Sequence, residues 1–102
     1  MNRDQTLKAA HMIVCEGREQ EYGSPERNFN MIANLWSAYV GYPISPRDVA
    51  VMMALLKIAR IKNGMIKEDN YVDLAGYAAC AAELDTPETT MGVRQEATLC
   101  LQ

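Results

Sequence analysis

Four charged side chains in the second half of the chain have the types and spacing that chemistry needs. Lys57 and Arg60 lie three apart in Leu55-Leu56-Lys57-Ile58-Ala59-Arg60-Ile61, so on a helix they share a face. They interrupt an apolar run, where a cation needs a carboxylate, a phosphate or water at its tip. As an anion site, Arg60 is a bidentate fork for phosphate and Lys57 a point charge. As architecture, the same residues form an ion pair or snorkel along a bundle edge. On their own, charges bounding an apolar helix favour that second reading. Asp69, Asp73 and Tyr77 recur every fourth residue in Asp69-Asn70-Tyr71-Val72-Asp73-Leu74-Ala75-Gly76-Tyr77. They fall on one helical stripe, with Val72, Ala75, Ala79 and Ala82 opposite as small packing residues. Carboxylates one turn apart suit Mg²⁺ shared with substrate phosphates. They equally suit pairing with Lys57 and Arg60, and Asp69 alone also suits a helix N-terminal dipole. Gly76 in mid-helix costs about 1 kcal/mol relative to Ala, which points to close approach by a neighbouring helix or a ligand.

A second group lies nearer the start. Glu16 and Glu19 form an ExxE pair, an arrangement able to hold Mg²⁺, although on a surface helix it is usually a solvated face. In Tyr22-Gly23-Ser24-Pro25-Glu26-Arg27-Asn28, free backbone N–H groups at a helix start offer an anion site beside an aromatic ring able to stack on a base. Tyr22, Gly23 and Asn28 therefore join Lys57, Arg60, Asp69, Asp73 and Tyr77 as candidate ligand-binding residues. Candidate metal ligands are Glu16, Glu19, Asp69 and Asp73, with Mg²⁺ the cofactor expected if there is one. His11 is the single histidine and is expected to be half-buried; Trp36 reads as core. Cys15, Cys80 and Cys100 have no nucleophile context. No Walker loop or GxGxxG occurs.

The elements that must position these residues are marked by punctuation. A first helix is expected from about Asp4 to Glu21, with Leu7, Ala10, Ile13 and Val14 at helical spacing and Gly23 at its end. Ser24-Pro25-Glu26 and Ser45-Pro46-Arg47-Asp48 are two helix starts of the same kind, with Ser as N-cap, Pro at the first helical position and an acid in the first turn. They open helices over about Pro25 to Val40 and Pro46 to Lys62. Asn63-Gly64 closes the latter, and a fourth helix runs from Glu68 or Asp69 to Leu84. No alternating run argues for a strand. The expectation is an all-α compact bundle of four main helices over residues 1–86. Residues 87–102 would be a short C-terminal tail or short helix, in which Val93, Ala97 and Leu101 share a weak periodicity. The third helix is apolar nearly all round, so self-association as a homodimer or higher homo-oligomer is expected.

Composition narrows the function classes. The 102 residues carry 10 Lys and Arg against 13 Asp and Glu, a net charge of -3. That balance excludes a broad basic footprint, so long nucleic acid is not an expected partner. No run reaches the ~18 apolar residues of a membrane span, and no signal-peptide core follows Met1. Three widely spaced cysteines fit reduced thiols. The expected place is the cytoplasm.

The ordered succession Glu21-Tyr22-Gly23-Ser24-Pro25-Glu26 with Asn28-Phe29, Asp48-Val49-Ala50, Leu56-Lys57-Ile58-Ala59-Arg60 and Asp69 to Tyr77 resembles a family of small phage and prophage proteins of unassigned function. That family is similar to phage nucleotide-modification-associated domains and, remotely, to MazG-like all-α nucleotide pyrophosphohydrolases. The likeness covers roughly residues 15 to 84. It implies a helical bundle, usually oligomeric, with a nucleotide pocket between helices and Mg²⁺ held by ExxE on one helix and ExxD on a later one. Here the later motif falls at Asn70-x-x-Asp73, and the helix expected to carry ExxE carries Lys57-x-x-Arg60, whose cations cannot ligate Mg²⁺. The resemblance thus favours binding of a nucleotide or nucleotide-derived signal. Lys57 and Arg60 would hold phosphate, Tyr22 and Tyr77 would flank the base or ribose, and Asp69 and Asp73 would orient the basic pair or a metal. Nucleotide metabolism and sequestration of a host defence signal are the implied uses. The alternatives are a Mg²⁺-dependent nucleoside triphosphate pyrophosphohydrolase and a non-catalytic protein-interaction module.

Overall fold

The computed structural model describes residues 1–17, 24–64 and 67–87. They form α1 (Arg3–His11), a π-helical stretch Met12–Gly17, α2 (Pro25–Val40), α3 (Pro46–Lys62) and α4 (Glu68–Leu84). No strand occurs among the described residues. The all-α bundle of four main helices expected from the sequence is the fold found.

Local chemistry explains the boundaries. At α2, Ser24 Oγ accepts from Arg27 N at 3.3 Å and Pro25 opens the helix. At α3, Ser45 Oγ accepts from Asp48 N at 3.0 Å while Asp48 Oδ2 accepts from Ser45 N at 3.3 Å. This reciprocal box satisfies two of the donors a helix start leaves open. Gly41 and Gly64 adopt φ of 76° and 81° just beyond α2 and α3, backbone that favours glycine. The corner between α2 and α3 is clasped by Ser37, whose Oγ accepts from Ile44 N at 2.8 Å and donates to Ile44 O at 3.2 Å.

The first helix departs from expectation. It begins one residue earlier than Asp4, because Asn2 and Gln5 form their own capping box. It also does not continue as a regular α-helix toward Glu21, since π geometry takes over at Met12. A π turn holds more residues than an α turn, so it shifts the facing of the residues beyond it. The expected stripe of Leu7, Ala10, Ile13 and Val14 is split, at Ile13 and Val14 within the π stretch and, independently of it, at Leu7 within α1. Ala10 is buried and Val14 packs on the core, whereas Ile13 is exposed and Leu7 is 63% exposed. His11, expected half-buried, is exposed. Residues 18–23, including Glu19, Tyr22 and Gly23, lie outside the described residues.

The core joins Phe29 and Ala33 of α2, Val49 and Ala50 of α3, and Tyr77, Cys80 and Leu84 of α4. Trp36 packs against it, as expected. The buried side of α4 differs from the stripe read from sequence. Val72, Gly76, Tyr77, Cys80 and Leu84 are buried, while Ala79 and Ala82 are exposed. Turning Tyr77, Cys80 and Leu84 inward removes far more apolar area from water than turning three alanines inward. α3 lies between α2 and α4, and α1 packs on α4. Among the described residues, no helix is long and apolar enough to cross a membrane.

Candidate functional site

α3 carries the cations and α4 the acids, and a short connection joins the two helices. Val49 and Ala50 belong to the same buried cluster as Tyr77, Cys80 and Leu84, which fixes the rotation of α3 and α4 about their axes. Lys57 lies two turns beyond Val49 and is thereby turned toward α4. Its Nζ meets Asp73 Oδ2 at 3.0 Å, with the lysine side chain 12% exposed and the aspartate 34%. The interhelical pairing weighed from the sequence is therefore made by Lys57 and Asp73. Arg60 and Asp69 are not joined in the same way. Both are exposed, and neither pairs with another described residue. The pair leaves Lys57 with donors to spare, since an ammonium has three.

On the other side of Asp73 is a shallow crevice between α4 and the first helical segment. Val72, Asp73, Gly76 and Tyr77 form one wall and Ala10, Ile13 and Val14 the other, enclosing about 190 Å³ with its open mouth included. Of this only about 10 Å³ is open to the centre of a water molecule, room for about one water, so the crevice does not hold a nucleotide. Tyr77 is buried here, its ring edge-on to Phe29 with centroids 6.3 Å apart and planes at 69°. The ring is thus part of the core. Gly76 is explained by packing: a Cβ there would sit 3.0 Å from Val14 Cγ1.

The remaining candidates are dispersed. Asn28 is half-buried in the first turn of α2, beside the core residue Phe29, and its backbone N–H donates to Ser24 O at 3.2 Å. Glu16 is exposed and its Oε1 lies 3.8 Å from His11 Nε2. A Mg²⁺ set drawn from Glu16, Asp69 and Asp73 is not assembled, because Asp73 is bound to Lys57 and Glu16 faces His11. Among the described residues, no three His, Cys, Asp or Glu side chains converge as metal ligands would. Sequence reasoning passed over Arg47. Its Nη2 lies 3.1 Å from Asp48 Oδ1, its side chain is mostly buried, and its Nε has no hydrogen-bond partner. The available signal was a cation in the first turn of a largely apolar helix, two residues before Val49.

Known proteins share this arrangement of helices in sequence. The family described as Domain of unknown function (DUF6378) matches residues 5–85, a span that runs from within α1 to the end of α4. The Gene 55 protein of Mycobacterium phage L5 is 45% identical over 83 residues, covering 80% of this chain and 53% of that protein. The Gene 55 protein of Mycobacterium phage D29 is 41% identical over 78 residues, covering 76% and 52%. The chain thus spans about half the length of these curated relatives. No solved structure matches. The match from within α1 to the end of α4 carries the conclusion: the chain belongs to the DUF6378 family and is similar to proteins of two mycobacteriophages.

Proposed function

We propose that this protein binds a phosphorylated small molecule of nucleotide type at the α3–α4 end of the bundle, in the cytoplasm of an infected host cell. Arg60 is the exposed fork for phosphate, and Lys57, oriented by Asp73, is the point charge behind it. The observation that carries this reading is the 3.0 Å Lys57–Asp73 pair on facing helices, with Arg60 one turn farther along α3 and exposed. A half-buried ammonium fixed by a single carboxylate keeps its other donors in a defined direction. The ligand body lies over the end of the bundle, since the crevice beside Tyr77 is too small for it. Participation in nucleotide metabolism and capture of a host defence signal are both compatible with such binding.

The test is a thermal-shift screen of nucleotides, cyclic dinucleotides and ADP-ribose derivatives, with and without Mg²⁺, on wild type and Arg60→Ala. A ligand at 100 times its Kd stabilises by about 2.7 kcal/mol, several degrees for a domain of this size. Arg60→Ala should weaken binding at least tenfold, because a charge-assisted hydrogen bond contributes about 1.5–3 kcal/mol. Unchanged affinity in that variant would overturn the proposal. Pyrophosphate release that requires Mg²⁺ and vanishes in Asp73→Ala would replace binding by hydrolysis as the activity. A second reading, an interaction module, is favoured by a different observation, the apolar outer face of α3.

A further inference from the structure

α3 is apolar on both sides. Its inner side is used by the core, through Val49, Ala50, Met53 and Ala54. On its outer side Val51, Met52, Leu55, Leu56 and Ile58 are all exposed, Leu55 to 57%. Together they form an apolar patch on one helix, and the largest such patch on a protein, typically about 300–600 Å², is often functional.

The charges on this helix say what covers the patch. Asp48 and Lys62 stand seven residues before and after Leu55. At 100° per residue they fall 20° to either side of it, on the same outer face. The face is therefore an apolar strip with an exposed base at one end and, at the other, a half-buried acid beside Arg47, the two placed symmetrically about Leu55. Turned end for end, it is complementary to itself. A parallel copy would oppose Lys62 to Lys62, whereas an antiparallel copy opposes Lys62 to Asp48 at both ends and sets the two helix dipoles in opposition. That is the form of a twofold, isologous contact. We infer that the outer face of α3 is the docking surface for a second copy of this chain, packed antiparallel with Leu55 on the twofold axis. Asp48 keeps its cap on Ser45 through Oδ2 and its contact with Arg47 through Oδ1, and Lys62 of the second copy adds an outer charge to that cluster.

Sedimentation velocity over a concentration series tests this. Wild type should sediment at twice the 11.4 kDa chain mass at micromolar concentration. Leu55→Asp should be monomeric with unchanged far-ultraviolet circular dichroism. Lys62→Glu sets an acid against Asp48, and should raise the dimer dissociation constant about tenfold in low salt. The difference should shrink at 1 M salt, where the screening length is about 3 Å. Leu35→Asp, an exposed apolar position on α2, should leave the dimer intact. A wild type that stays monomeric throughout overturns the inference, as does a dimer that survives Leu55→Asp or is lost in Leu35→Asp. If Leu55→Asp does not fold, the salt dependence of Lys62→Glu decides: no difference from wild type in low salt removes the antiparallel register.

Discussion

Where α4 meets α3, wholly buried Val49 and Ala50 share a cluster with Tyr77, Cys80 and Leu84, and an ion pair closes the open end. Where α4 meets the first helical segment, Ala10 is the one buried residue of that segment, while Leu7, Met12 and Ile13 remain exposed. Both contacts use α4, yet only the first is sealed. The difference begins in the sequence. α3 offers large and small apolar residues in register along one regular α-helix. The first segment changes helical type at Met12 and meets α4 through the bare backbone of Gly76, where a Cβ would come within 3.0 Å of Val14. Cooperative stability should therefore reside in α2–α3–α4, with α1 docked on it as a separable layer.

Substitutions separate these layers. Val49→Asp buries an unpaired charge at a fully enclosed site. It should cost about 3–5 kcal/mol, enough to abolish the cooperative melt of the whole chain. Asp73→Ala leaves Lys57 half-buried without its partner and should cost about 2 kcal/mol, below the fully buried range because Asp73 is one-third exposed. Chemical denaturation measures it, and Lys57→Met with Asp73→Ala should recover most of the loss. Gly76→Leu drives a side chain into Val14 and should cost about 1–2 kcal/mol as overpacking. Hydrogen exchange should place that loss in α1 while the amides of α3 keep their protection; equal loss in α3 would show the two contacts to be one unit. Smallest is Leu7→Ser, an exposed position on α1, expected within about 0.5 kcal/mol of wild type.

The same contrast accounts for how much was legible in the sequence. Both serine–proline starts were legible because capping chemistry is local: Ser24, Ser45 and Asp48 do in the fold what their types imply. The Lys57–Asp73 pair was legible because charge inside an apolar helix demands a partner. Its exclusivity was not, since one turn separates Lys57 from Arg60 and only the axial rotation of α3 against α4 decides which of them faces inward. The π stretch at Met12 had no signal, because the register of the first segment is set by its fit to α4. The inward face of α4 was misread for a related reason. Alanines at Ala75, Ala79 and Ala82 tolerate either side of a helix, so Tyr77, Cys80 and Leu84 decide it through tertiary packing.

The contact between Val14 and Gly76 also orders events in time. During synthesis Val14 leaves the ribosome about 60 residues ahead of its docking site, which at 5–20 residues per second is a wait of several seconds. The α2–α3 corner, closed by Ser37 and Ile44 only seven residues apart, needs no such delay, since short loops close in well under a microsecond. That segment, made well before α4, is thus the last of these helices to find its place, and until α4 appears its apolar residues are exposed to whatever else binds nascent chains.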